Sequence, residues 1–294
     1  MPVSSTPAGS TPRLTLVIPV YNGARFLRDS LAKAYEWLAQ KSEATELLVV
    51  DDGSADETPA ILAEFAASHA EGSCQVTCVR NQQNRGKGFS VRRAFLLARG
   101  EFVVFTDADL TYPVDNCQPL LDALAAGADV VYGSRMHPDS RYVVAPTFFG
   151  KLFTRHFMGR TFNLLLRLIV VRGVLDSQAG LKGCRKAAAV QLAHRVRLPR
   201  FSFDVELFFV ARRLGLSIVE CPVQFIYRKE PSTVHFVRDS LAMVRDMLRV
   251  RLRGWRRVYD RELDAAALAD LEHGGAPPAD QRARPNSSTS AAAG

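Results

Sequence analysis

Short apolar runs alternate with helical patterns along the first half of the chain. Leu14–Val20 is a β-rich run with Pro19 near its end. Leu27, Leu31, Ala34, Tyr35 and Leu38 follow at the spacing of one helical face. Residues 47–50 read as a buried strand that ends in acids. Asp56-Glu57-Thr58-Pro59 then opens a helix, with acids at its positive end and proline in its first turn. Residues 76–79, 89–98, 102–106, 114–125 and 130–133 repeat the strand and helix order. Continuous apolar strands separated by helices predict an α/β fold, a mostly parallel sheet with helices on both faces. Ligands of such sheets sit at the carboxyl ends of the strands. Residues 1–12, rich in Ser, Thr and Pro, and 264–294, rich in Ala, Pro and Ser, read as disordered tails.

Composition narrows the picture only in part. The 294 residues carry 38 Lys+Arg against 30 Asp+Glu, a net charge of +8, and 47% hydrophobic residues, enough to bury a core. No run reaches the roughly 18 apolar residues that span a bilayer. The best, 164–171, is broken by Arg167. The first residues lack the apolar segment of a secretory signal. The five cysteines are scattered with no CxxC pair, which argues against a disulfide framework or a zinc site. The expectation is a cytosolic protein whose basic surface meets nucleic acid, an anionic substrate or a membrane.

Three clusters end strands: Pro19-Val20-Tyr21-Asn22-Gly23, Asp51-Asp52-Gly53-Ser54 and Asp107-Ala108-Asp109. Paired acids at a buried strand end are costly unless satisfied. For Asp51-Asp52, a ligand and a solvent-facing Asp-Gly-Ser turn are both adequate partners. Asp107 and Asp109, two apart where a strand ends, can put both carboxylates on one side of a loop. That oxygen-only pair suits Mg²⁺ or Mn²⁺, which in turn holds phosphate oxygens. Its strand is expected to neighbour the Asp51-Asp52 strand. Asn84-Arg85-Gly86-Lys87-Gly88 precedes a helix and has anion-binding chemistry, without the spacing of a Walker loop or a dinucleotide fingerprint.

In order and spacing, Val17-Ile-Pro-Val-Tyr-Asn22, Val49-Val-Asp-Asp-Gly-Ser54, Asn84-Arg-Gly-Lys-Gly88 and Phe105-Thr-Asp-Ala-Asp-Leu110 resemble the family-2 glycosyltransferases of the GT-A fold. Gly133-Ser-Arg135, Asp176-Ser-Gln-Ala-Gly-Leu-Lys182 and Phe203-Asp-Val-Glu-Leu207 look like the dolichyl-phosphate glucosyl- and mannosyltransferase branch. The set runs from about Leu14 to Arg228.

The resemblance implies a GT-A catalytic domain over 13–232. It implies that Pro19, Tyr21, Asn22, Asp51, Asp52, Lys87, Asp107 and Ala108 bind a nucleotide-diphosphate sugar. Asp107 and Asp109 would hold the metal. Arg135, Arg155 and Lys182 would meet the phosphate of a polyprenyl acceptor. Asp109, Arg135, Lys182, Asp204 and Glu206 form the expected catalytic set, with Asp204 or Glu206 alternatively a helix cap. Gly23 stands where many relatives carry Glu, and Thr111 where many mannosyl enzymes carry Gln. Gln178-Ala-Gly-Leu-Lys182 favours the glucosyl branch, hence UDP-glucose over GDP-mannose.

The chemistry implied is an inverting transfer to a phosphate already largely dianionic at neutral pH, its second pKa being about 6, so no strong base is required.

The positive charge has two addresses. Residues 140–175 contain no acid, and interleave Arg141, Lys151, Arg155, Arg160, Arg167 and Arg172 with aromatic and aliphatic residues. An amphipathic insertion at 146–172 lying at a membrane interface, or a core helix pair with snorkelling cations, accounts for it. Over 233–263, Val237, Leu241, Val244, Leu248, Leu252, Trp255 and Tyr259 form one stripe beside Arg238, Arg245, Arg249, Arg253 and Arg256. This reads as an interfacial or partner-binding helix. The expected partners are a nucleotide sugar, a polyprenyl phosphate, a membrane surface at its cytoplasmic face and a separate membrane protein. Nucleic acid is not expected, because the cations lie beside aliphatic stripes. A soluble or glycan acceptor is the rival enzyme reading.

Overall fold

Leu14–Val20 (β1) and Thr45–Asp51 (β2) are buried at every position, as strands covered on both faces must be. A computed structural model describes residues 11–144, 173–200, 202–227 and 236–275. β1 pairs in parallel with β2 and with Phe102–Phe105 (β4), and β2 with Cys74–Arg80 (β3). Val130–Ser134 (β5) pairs in parallel with Ile218–Pro222 (β8). Lys182–Arg185 (β7) lies antiparallel between β4 and β5. The sheet order is β3-β2-β1-β4-β7-β5-β8. Arg141–Val144 (β6) and Gln224–Tyr227 (β9) form a separate parallel pair.

Strand alternation divides the core in two. Leu16, Ile18, Leu47, Val49 and Val104 join the layer containing Leu27 and Leu31 of Ala24–Ala39 (α1), Ile61 of Thr58–Ser68 (α2) and Leu120 of Cys117–Ala125 (α4). Val17, Leu48, Val50, Val103 and Phe105 join the opposite layer. There they meet Val91 and Phe95 of Lys87–Leu97 (α3), Leu192 of Lys186–Arg195 (α5), Phe208 of Phe203–Arg213 (α6) and Val250 of Phe236–Trp255 (α7).

Several expectations change. The neighbour of β4 is β1, so β1 separates the Asp51-Asp52 strand from the Asp107 strand. α3 begins at Lys87, two residues earlier than its apolar pattern suggests. The tail expected from 264 opens as a helix, Ala265–Glu272 (α8), which Asp264 caps by accepting from Ala267 N at 2.8 Å. The core side of α7 is not the expected stripe: Met247 and Val250, outside it, are buried, whereas Leu248, Leu252 and Trp255 of the stripe are exposed, and Tyr259 lies beyond the helix and is buried. Arg155, the insertion at 146–172 and the segment 276–294 lie outside the described residues. Among the described residues, no helix is long and apolar enough to cross a membrane.

Candidate active site

The carboxyl ends of β1 and β2 are stitched together. Asn22, at φ 51°, donates its N–H to Ser54 Oγ at 2.9 Å and accepts from Ala55 N through Oδ1 at 2.9 Å. Pro19 and Ala108 are tucked in, while Tyr21 is exposed. Asp51 Oδ1 accepts from Ser54 N at 2.9 Å, and Arg80 Nε stands 3.2 Å from Oδ2.

Asp52 turns inward. Its Oδ1 accepts from Asn81 Nδ2 and Arg85 N at 2.7 and 3.0 Å, and its Oδ2 from Gly86 N at 2.7 Å. Asp51 makes the Asp-Gly-Ser turn that the motif predicts, though buried rather than solvent-facing, and Asp52 braces the loop before α3. Gly86 sits at φ 94°, where a Cβ would meet Pro199 O at 2.6 Å, so the loop needs glycine there.

That loop delivers Lys87 to Asp107, and the two form an ion pair. Burial opposes the Lys87 charge, but the carboxylates of Asp107, Asp204 and Asp109 outweigh it and hold the ammonium above its ordinary range. Asp109 accepts from Thr111 N at 3.0 Å. Gly180 backs the Asp107 carboxylate so closely that a Cβ would lie 1.8 Å from Oδ2.

The antiparallel entry of β7 completes the cluster. Its first residue, Lys182, faces Phe105 across the ladder, at the carboxyl end of the parallel strands. Lys182 is fully buried, and its Nζ donates to Asp204 Oδ1 at 2.6 Å and Ala179 O at 2.5 Å. Lys87 and Lys182 both stand over the Phe105 ring, 5.7 and 5.5 Å from its centre. Burial pushes the Lys182 ammonium down and the Asp204 carboxyl up, each partly offset by the other. Lys182 is thus a buried partner of Asp204 rather than an open phosphate ligand.

Arg135 grips Asp176 in a fork, Nε to Oδ2 at 2.7 Å and Nη2 to Oδ1 at 2.8 Å, with its backbone N–H adding a third bond at 3.0 Å. Burial works against the Asp176 charge, yet Arg135 holds its carboxyl below the ordinary range. Asp176 lies within a quoted motif but was given no role. The signal available was an acid six residues before Lys182 and a lone arginine just past β5.

Glu206 leaves the site. Its Oε2 accepts from Arg197 N and Leu198 N at 2.8 and 2.6 Å, and its Oε1 from Tyr259 OH at 2.5 Å and Arg253 Nη1 at 3.3 Å. It ties α6 to the segment before it and to the end of α7. Residues two apart on a helix diverge by about 200°, so Asp204 and Glu206 face different neighbours.

Asp107 and Asp109 are both half-buried just past β4 and are the carboxylates that would hold a divalent cation together with substrate phosphates. Mg²⁺ takes one or two carboxylates plus phosphates and water, and Lys87 already puts a positive charge on Asp107. Among the described residues, no group of three or more His, Cys, Asp or Glu could hold a metal ion.

Comparison with known proteins identifies the family. Glycosyl transferase family 2 matches residues 15–170, more than half of the chain. A dolichyl-phosphate beta-glucosyltransferase of Mus musculus is 30% identical over 258 residues, covering 83% of this chain and 76% of its own. A mannosyltransferase of Pyrobaculum calidifontis, solved with GDP-Man and Mn²⁺, superposes with a TM-score of 0.53 at 21% identity, covering 94% of this chain and 72% of that one. A glucosyl-3-phosphoglycerate synthase of Mycobacterium tuberculosis, solved with Mn²⁺, UDP-glucose and phosphoglyceric acid, gives 0.52 at 19% identity, covering 87% and 82%. The family match spans all three strand-end clusters and the solved neighbours share the sheet, so the chain belongs to glycosyl transferase family 2 and is a hexosyltransferase of the GT-A fold.

Proposed function

We propose that the chain transfers glucose from UDP-glucose to a polyprenyl phosphate, with inversion at the anomeric carbon, using Mg²⁺ or Mn²⁺ at a membrane surface. The relatives named dolichyl-phosphate beta-glucosyltransferases support the donor and acceptor class. The observation that carries the reading is the charge-matched cluster of Lys87, half-buried Asp107, Lys182 and Asp204 beside the Arg135–Asp176 fork, in which no carboxylate is left as a strong base. A phosphate nucleophile needs none. Catalysis then rests on positioning and on fixed charge.

The chain's own residues have these roles. Asn22, Ser54 and Asp51 shape the wall against which the nucleotide lies, and Tyr21 offers an exposed ring there. Asp107 and Asp109 would hold the cation, which when bound neutralises charge on the departing diphosphate. Arg135, aimed by Asp176, meets a phosphate. Asp204, held by Lys182, sets the field at the acceptor side without leaving its ion pair.

The exposed side of α7 supports a peripheral placement at the cytoplasmic face of a membrane. Leu248, Leu252 and Trp255 lie at one-face spacing, with Arg251 on one flank and Arg245, Arg249 and Arg256 on the other. The same helix touches the site wall, where Asp246 accepts from Ser202 Oγ at 2.8 Å and Gln178 Nε2 reaches Met243 Sδ at 3.8 Å.

The test is transfer from a panel of UDP- and GDP-sugars, with and without polyprenyl phosphate. UDP-glucose with polyprenyl phosphate should be the productive pair, chelator should stop it, and Asp109→Ala should lower turnover by about 10²–10³-fold, the scale of losing one preorganised charge-stabilising group. Transfer only to a soluble acceptor, or full activity in chelator, would overturn the reading.

A further inference from the structure

Two routes of hydrogen bonds converge on the loop before α3 from the C-terminal segment. The first is direct. Arg85 lays a fork on Asp270 of α8, Nη1 to Oδ1 at 3.2 Å and Nη2 to Oδ2 at 2.7 Å, with its guanidinium 4.3 Å from the centre of the Phe89 ring. Gln82 N donates to Gly274 O at 3.0 Å, so backbone as well as side chain joins the two segments.

The second route runs through the interior. Arg93 Nε donates to Glu272 O at 3.2 Å, and its Nη1 to Asn81 Oδ1 at 2.8 Å. Asn81 Nδ2 donates to Asp52 Oδ1 at 2.7 Å, and Asp52 takes the N–H groups of Arg85 and Gly86. Upstream, the segment is pinned by Leu263 N to His194 O at 2.8 Å, and Leu271 is buried.

The loop is therefore gripped on both sides immediately before Lys87. Arg85 is used by this grip, so the positive charge that the loop turns toward Asp107 is that of Lys87.

We propose that residues 264–275 are a clamp that presets loop 82–88, and that Asp270 is a positioning residue acting through Arg85 on Lys87 and its contact with Asp107. A chain segment with the composition of a tail thereby becomes part of the donor side of the site. The consequence for turnover rests on the proposed UDP-glucose reaction, whereas the clamp itself does not.

The experiment compares the full-length wild type with Asp270→Asn and Asp270→Glu by amide hydrogen exchange over 82–88 and by steady-state kinetics with UDP-glucose. Exchange reports local opening free energy independently of global unfolding. Asp270→Asn should speed exchange of the Arg85, Gly86 and Lys87 amides by about fivefold, the upper range of a partly exposed ion pair. It should raise the UDP-glucose KM by a similar factor and leave kcat within about twofold. Asp270→Glu, which keeps the charge, should return both toward wild type. Unchanged exchange in Asp270→Asn overturns the clamp, and faster exchange with an unmoved KM overturns the positioning role. A wild type that does not turn over UDP-glucose refutes the proposed function, while the exchange comparison still decides the clamp.

Discussion

Asp204 and Glu206 occupy the same turn of α6 and are both buried, yet they belong to different machines. Asp204 faces the sheet end, pairs with a fully buried lysine and shares the field of Lys87 and Asp107. Glu206 faces the junction of α6, α7 and Tyr259, and all four of its contacts hold architecture together. Burial alone separates neither from the other. The partners do. A carboxylate with two backbone N–H donors and a phenol is a joint, whereas one held by a single buried ammonium beside a second lysine is an electrostatic device.

The sharpest way to break this contrast is to neutralise the joint. Glu206→Gln leaves Arg253 and two N–H groups poorly matched and should cost about 3–5 kcal/mol of stability, as when one partner of a buried charge network is removed. The protein that remains folded at low temperature should keep nearly full specific activity. A stable but inactive Glu206→Gln protein would return Glu206 to the site.

The device is tested by removing both charges at once. Asp204→Leu with Lys182→Met replaces the buried pair by apolar groups of similar size, which is commonly neutral within about 1 kcal/mol or even stabilising. The melting temperature should then stay near wild type while transfer falls at least tenfold. Retained transfer in the double variant would reduce the pair to packing.

The smallest effect is one of pH, at a third carboxylate. Arg135 holds the Asp176 carboxyl below its ordinary range. The contribution of this pair is therefore complete above the unfolded value of about 3.9, and is lost as pH falls below it toward the lower folded value. As pH is lowered from 5, the stability gap between wild type and Asp176→Asn should narrow, by at most about 1.4 kcal/mol per pH unit. A constant gap would mean that the fork does not hold the carboxylate charged.

Much of the candidate site was readable along the chain, because its residues cluster locally. Apolar strands ending in acids announce where a parallel sheet opens, and Lys87 and Asp107 pair there. What could not be read is which way a side chain turns once the chain is packed. Asp51 and Asp52 are adjacent in sequence, but only Asp52 reaches back to hold the next loop. Asp176 and Arg135 are 41 residues apart and meet only because β7 enters between β4 and β5. The apolar stripe of α7 was continuous in spacing, yet the core takes Met247 and Val250 from outside it and leaves Leu248, Leu252 and Trp255 of the stripe exposed.

By itself, then, the sequence determined the strand and helix alternation, the strand-end chemistry and the family, since period, turn residues and short motifs are local quantities. The tertiary structure alone decided that Lys182 is buried against Asp204, that Glu206 is a joint, and that α8 returns to clamp the Arg85 loop. Those outcomes depend on long-range pairing. An antiparallel strand inserted among parallel ones brings its first residue to the sheet's carboxyl end, and no spacing along the chain encodes which distant charge awaits it there.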